Sequence, residues 1–193
     1  MAPESPTSTT KKGHRIGSYY TVESLEQSQW TYLCRFLDFV KANFDGAVFP
    51  SEGFSSIGVV VRDDAGNFIA GLSKRIPDIL APDVAETNAA KFATKLLVEL
   101  GYSNVALEGD NLKIVKKLQQ YDFDDLACGM VIDDVLQLLR NFTKWEAIWI
   151  SRSLNGAAHS FARNACTALV DHLWNHSPPS FVLFALQADL LPS

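Results

Sequence analysis

The stretch FVKANFDGAVF, Phe39 to Phe49, decides the reading of the fold. Val40, Ala42 and Phe44 alternate as one buried face of a β-strand, because successive side chains of a strand point to opposite sides. The other face carries Asn43 and then Asp45, with Gly46 directly after it. A carboxylate in an otherwise apolar strand costs free energy unless something compensates it. Working outward, SSIGVVVRD and NFIAGLSKRI follow, separated by the turn residues Asp63, Asp64, Ala65 and Gly66, which predicts a hairpin. Then come a helix in VAETNAAKFATKLLVELG, closed by Gly101, a short strand NVALEG and a helix NLKIVKKLQQ. An Asp-rich loop leads to a third helix, MVIDDVLQLLRNF, then the strand WEAIWIS and a fourth helix from Asn155 to about Trp174. Three strands in succession, followed by strands alternating with helices, predict an α/β fold with helices on a mixed sheet.

The 193 residues suit one domain with short tails, and a core of that size needs no covalent staples. Residues 1–38 read as an N-terminal tail, Ser-, Thr- and Pro-rich and disordered at first, with a short helix over residues 24–38. The domain proper is expected over residues 39–176, with a C-terminal tail, residues 177–193, apolar enough to pack back onto it. The three cysteines, Cys34, Cys128 and Cys166, are odd in number and lack C-x-x-C spacing, which argues against a disulfide framework or structural zinc. No apolar run has the roughly 18 residues of a membrane helix. These features predict an intracellular monomer in nucleus, cytoplasm or an organelle. The net charge of −5 repels nucleic acid at long range, so such a partner would have to be met by a local basic patch.

Two further acids stand where apolar residues or caps belong. On a helical wheel from Val84, the residues Ala89, Phe92, Ala93, Leu96, Leu97 and Leu100 share one arc, with Thr87, Asn88, Lys91, Lys95 and Glu99 opposite. Glu86 falls inside the apolar arc. By itself it reads as a first-turn residue complementing the helix dipole, and Asp110, between strand and helix, reads as an N-cap. Taken together, Asp45, Glu86 and Asp110 each have small neighbours, Gly46, Ala85 with Ala89, and Gly109. If the two strands are adjacent, the carboxylates converge on one pocket, and like charges that close require a cation between them. Mg²⁺ or Mn²⁺ suits carboxylate oxygens best.

The order NFDGA, AET, EGD and NGAAHSFA, on strand, helix, strand and helix, resembles the type 1 ribonuclease H family, with closest likeness to the plant reverse-transcriptase-like proteins. The resemblance spans about Phe39 to Trp174. It implies a ribonuclease H-like fold, a five-stranded mixed sheet with flanking helices, and two-metal hydrolysis of the RNA strand of an RNA:DNA hybrid. It also implies that Asp45, Glu86 and Asp110 are catalytic metal ligands. At the fourth position, where these enzymes usually carry an aspartate, stands His159, at the margin of an arc formed by Ala158, Ala162, Ala165, Leu169 and Leu173. An imidazole can ligate a metal or carry a proton, though with one negative charge fewer than a carboxylate. Where many relatives have a further histidine, WISRSLNG offers Arg152.

For the nucleic acid, Lys113, Lys116, Lys117 and Gln120 share one helical face, with Leu112, Ile114, Val115 and Leu118 on the other. The stripe is either a solvated face or a set of phosphate contacts; its place directly after Asp110 suits the second. Two functions are therefore expected in competition: a metal-dependent endonuclease, and a non-catalytic module of the same fold that binds nucleic acid or protein.

Overall fold

The computed structural model describes residues 39–120, 126–168 and 170–189; the helix expected over residues 24–38 lies outside them, as does Leu169. β1 (Val40–Phe49), β2 (Phe54–Arg62) and β3 (Phe68–Ile76) form an antiparallel meander, and α1 (Pro82–Glu99) crosses over to β4 (Asn104–Gly109). Among the described residues, α2 (Leu112–Gln120), α3 (Leu126–Leu139), β5 (Lys144–Trp149), α4 (Gly156–Asn164), β6 (His172–Asn175) and α5 (Leu183–Ala188) follow, with 3₁₀ turns at Arg152–Leu154 and Ser180–Val182. The six strands lie in the order β5-β4-β1-β2-β3-β6, with β4 and β5 parallel to β1.

Helices cover both faces. On one, Val40, Ala42 and Phe44 of β1 join Val59 and Val61 of β2 under Leu97 of α1, Leu118 of α2 and Ile132 of α3. On the other, Val60 packs against Ala157, Ala158 and Phe161 of α4 and Val182 beyond it. Burial of each such leucine or phenylalanine side chain stabilises the fold by about 1.5–3 kcal/mol. Double coverage explains why every residue of β2 is buried and why Asn43 is as well, its amide donating to Glu108 Oε2 at 3.0 Å while its carbonyl accepts from Arg62 at 2.7 Å.

Three expectations need correction. The helix expected to reach Trp174 ends at Asn164, and His172–Asn175 instead adds a sixth strand antiparallel to β3, where five strands were expected. Its anchors are tertiary: the Trp174 ring lies 5.4 Å from Phe161 and 5.6 Å from Phe181, and Asp171 accepts from the Arg75 N–H at 3.0 Å and from Lys74. Second, Thr87 is buried, because α3 packs on a second side of α1 and widens the arc removed from water; the Thr87 hydroxyl is satisfied by the Asp83 carbonyl at 2.6 Å. Third, Lys117 is 7% exposed and turns inward, whereas Leu112 is 45% exposed, so the lysines of α2 do not form one open face.

Candidate metal centre

Asp45 is buried in the central strand of the sheet. Gly46 beside it lets α1 come close: a β-carbon there would lie 2.5 to 2.7 Å from backbone atoms of Ala85 and Glu86. Gly58, opposite Asp45 on β2, does the same for α4, since a β-carbon would lie 2.1 Å from the Ala158 carbonyl oxygen. Gly46→Ala should therefore force α1 off the sheet and lower stability by about 1–3 kcal/mol or more. Thermal melts measure this, and an unchanged Tm would refute the close-approach account.

Glu86 is the fifth residue of α1, which begins at Pro82, so it lies past the first turn where a carboxylate would mainly answer the dipole. The acid in that first turn is Asp83. Glu86 instead reaches β1, where the Gly46 N–H donates to its carboxyl group, and its Oε2 is buried without a hydrogen-bond partner. Burial, reinforced by the charges of Asp45 and Asp110, pushes its pKa up to about 9. Asp110 does not cap α2. That task falls to Asn111, whose Oδ1 accepts from the N–H groups of Lys113 at 3.1 Å and Ile114 at 3.4 Å, while its carbonyl accepts from Val115 at 3.1 Å. Asp110 is left to face Asp45, and burial followed by that neighbouring charge raises its pKa as well.

One carboxylate oxygen from each of Asp45, Glu86 and Asp110 lies within 4.8 Å of the others. His159, on α4, places Nδ1 3.0 Å from Asp45 Oδ2. Asn155 was not foreseen as part of the site. Its buried amide donates to the Phe44 carbonyl at 2.9 Å and, more weakly, to Asp110 Oδ1 at 3.4 Å, tying β1 to the end of β4. Its place just ahead of the helix in NGAAH was the available signal. Trp149 was likewise missed; its indole N–H donates to the Asp110 carbonyl at 3.0 Å, with the ring half exposed.

The cations are distributed unevenly. Arg152 is exposed and near enough to Glu86 and Asp110 to oppose their upward shifts. Lys116 is exposed, Lys117 is buried, and Lys113 forms an ion pair with Asp83. Among the described residues no helix is long and apolar enough to cross a membrane.

A family model described as reverse transcriptase-like matches residues 43–165, which contain all four site residues Asp45, Glu86, Asp110 and His159. The chain belongs to the reverse transcriptase-like family. Among solved structures, RNase H1 of the halophilic archaeon Halobacterium salinarum superposes with a TM-score of 0.62 at 26% identity, over 66% of this chain and 97% of that one. The N-terminal RNase H domain of a Mycobacterium tuberculosis protein has the same TM-score, 0.62, at 20% identity, over 67% and 94%. An RNase H1 isolated from compost, solved in complex with an RNA/DNA hybrid, gives 0.59 at 21%, over 65% and 94%. No curated protein sequence matches the chain. The fold of this family member is thus the ribonuclease H-like one, and its acidic triad can hold a metal.

Proposed function

We propose that this chain is a metal-dependent endonuclease that cleaves the RNA strand of RNA:DNA hybrids. The observation that carries the proposal is the meeting of Asp45, Glu86 and Asp110, with one buried Glu86 oxygen left without a partner. That donor set fits a hard divalent cation: three carboxylates crowd together, Glu86 keeps its proton to a pKa of about 9, and one of its oxygens is buried without a partner. Asp45, Glu86 and Asp110 would hold Mg²⁺ or Mn²⁺, with His159 at the edge. Bound there, such an ion supplies charge neutralisation at a phosphodiester and a more acidic water.

The protein's own groups prepare that site. His159 orients the Asp45 carboxylate through its 3.0 Å contact, and Asn155 holds Asp110. Arg152 offsets negative charge at the mouth, where the substrate's phosphate would otherwise meet three acids. Support for the hybrid as substrate comes from the likeness to an archaeal RNase H1 and to one whose structure contains an RNA/DNA hybrid. Selection of a hybrid would rest on duplex shape and 2′-hydroxyl contacts. A second reading, a module that binds without cleaving, is favoured by His159, which brings no negative charge to the place of a fourth acid.

Incubating the full chain with labelled RNA:DNA hybrid and Mg²⁺ or Mn²⁺, beside double-stranded RNA and DNA, separates the two. Metal-dependent cleavage of the hybrid's RNA supports the enzyme; binding without cleavage supports the module. Hybrid binding should be weak and salt-sensitive. Lys116→Ala and Arg152→Ala should each lower the slope of log affinity against log salt by about one. Lys117→Ala should lower that slope less than either, the residue being only 7% exposed. Titrations at several salt concentrations test this, and a slope that fell most for Lys117→Ala would overturn the assignment.

A further inference from the structure

α4 presents a capping problem that the chain solves from a distance. The first N–H groups of a helix have no intrahelical acceptor, and an asparagine just before the helix ordinarily accepts from one of them. Asn155 holds that position, yet its side chain makes no capping bond. Its amide is turned to the Phe44 carbonyl and Asp110, and its Oδ1 is buried without a partner. The orphan donors are met instead by Asp189, whose Oδ1 accepts from the Gly156 N–H at 3.1 Å and whose Oδ2 accepts from the Ala157 N–H at 3.0 Å.

This contact is built into the fold. The Asp189 N–H donates to the Ala185 carbonyl at 2.9 Å, placing the carboxylate at the end of α5. Gly156 leaves room for it: a β-carbon there would stand 3.1 Å from Asp189 Oδ1 and 3.7 Å from Ala185 Cβ. Val182, fully buried against Ala157, Ala158 and Phe161, fastens the segment that leads to α5. A carboxylate here also complements the positive end of the helix dipole.

We propose that Asp189 is a positioning residue for the metal centre. It takes over the capping of α4, which leaves Asn155 to hold Asp110 and sets His159, one turn along, against Asp45. The inference rests on the metal-site reading given above, and it ties the centre to a carboxylate 79 residues beyond Asp110, outside the segment matched by the family model.

The test uses the full chain with Asp189→Ala and Asp189→Asn, the latter keeping one oxygen acceptor. Without metal, hydrogen exchange at the Gly156 and Ala157 amides, and NMR signals of the Asn155 side-chain amide and the His159 ring, report the first turn of α4 and its two site residues directly. In Asp189→Ala the two backbone amides should exchange about five- to tenfold faster, and the Asn155 and His159 signals should shift, while core amides such as Leu97 and Leu118 stay slow. Mn²⁺ affinity measured by calorimetry should fall about three- to tenfold, with Asp189→Asn in between. If Asp189→Ala does not fold, Asp189→Asn carries the test, with the same local shifts expected. Faster exchange at Gly156 and Ala157 with Asn155, His159 and Mn²⁺ affinity unchanged would reduce Asp189 to a helix cap and overturn the proposal. So would exchange that rises equally through the whole chain. Failure of the parent to take up Mn²⁺ would count against the metal reading alone, since the metal-free signals still decide how Asn155 and His159 are positioned.

Discussion

Asp45→Asn should abolish cleavage, by about 10³-fold or more, without lowering thermal stability. Asp45 lies in the central strand, and its charge is, after burial, a cause of the raised pKa values of Glu86 and Asp110. Removing that charge would take away one of the proposed metal ligands and relieve repulsion within the acidic cluster, so activity and stability should move in opposite directions. His159 should differ in degree. His159→Asp restores a harder oxygen ligand and should keep or raise activity, whereas His159→Ala should lower it. Cleavage rates of the parent and the three variants with Mg²⁺ and Mn²⁺ check this. Silence from both the parent and His159→Asp would end the enzymatic reading, and cleavage persisting in Asp45→Asn would point to a contaminating nuclease.

Glu86 gives the second large effect. Its pKa rises from an ordinary 4.5 to about 9, mainly through burial and then through Asp45 and Asp110. In the absence of metal the folded chain therefore holds a proton that the unfolded chain releases above about pH 4.5. The protonated group's contribution to stability is complete below that pH and is lost as pH rises towards 9. After allowance for relaxation and water, the loss across this window should be about 2–4 kcal/mol. Asp110, Asp189 and Glu146, each raised first of all by burial, act in the same direction. Asp83 is held low chiefly by Lys113, and at Asp171 burial is outweighed by bonds from Lys74 and the Arg75 N–H; both act only in acid, below the window. Glu86→Gln should flatten the decline and make the metal-free protein the more stable one at pH 8, while weakening metal binding. In the parent, metal affinity should rise with pH as the proton is displaced. Denaturant unfolding from pH 5 to 9 in chelator, then with Mg²⁺, gives the answer; a parent curve as flat as that of Glu86→Gln would refute the account.

The sequence made the meander and the three acids readable because each rests on local pattern: alternation in Val40, Ala42 and Phe44, turn residues at Asp63 to Gly66, and small residues next to the carboxylates. What it concealed depends on contacts distant along the chain. The apolar spacing that suggested a helix to Trp174 is overridden by pairing with β3 and by the Phe161–Trp174–Phe181 rings. The inward turn of Lys117 could not be told from a solvated lysine at the same helical angle. Asn155 looks like an ordinary cap until the Phe44 carbonyl stands beside it, and Asp189 sits in a segment read only as a tail. Asp110 is the reverse case: its capping alternative fell away only because its neighbour Asn111 performs that task.

The strand order also bears on self-association. A long unpaired strand edge invites a second chain to add its own strand. Here the ten-residue β1 and the nine-residue β2 and β3 all lie inside the sheet, leaving the six-residue β5 and the four-residue β6 outermost. On the β5 side the Ala147 carbonyl already accepts from the Gln119 side chain at 2.8 Å. The short strand that sequence periodicity mistook for helix thus acts as a guard, pairing with Ala70–Ser73 in the middle of β3 and breaking up its edge as a template for edge-to-edge aggregation.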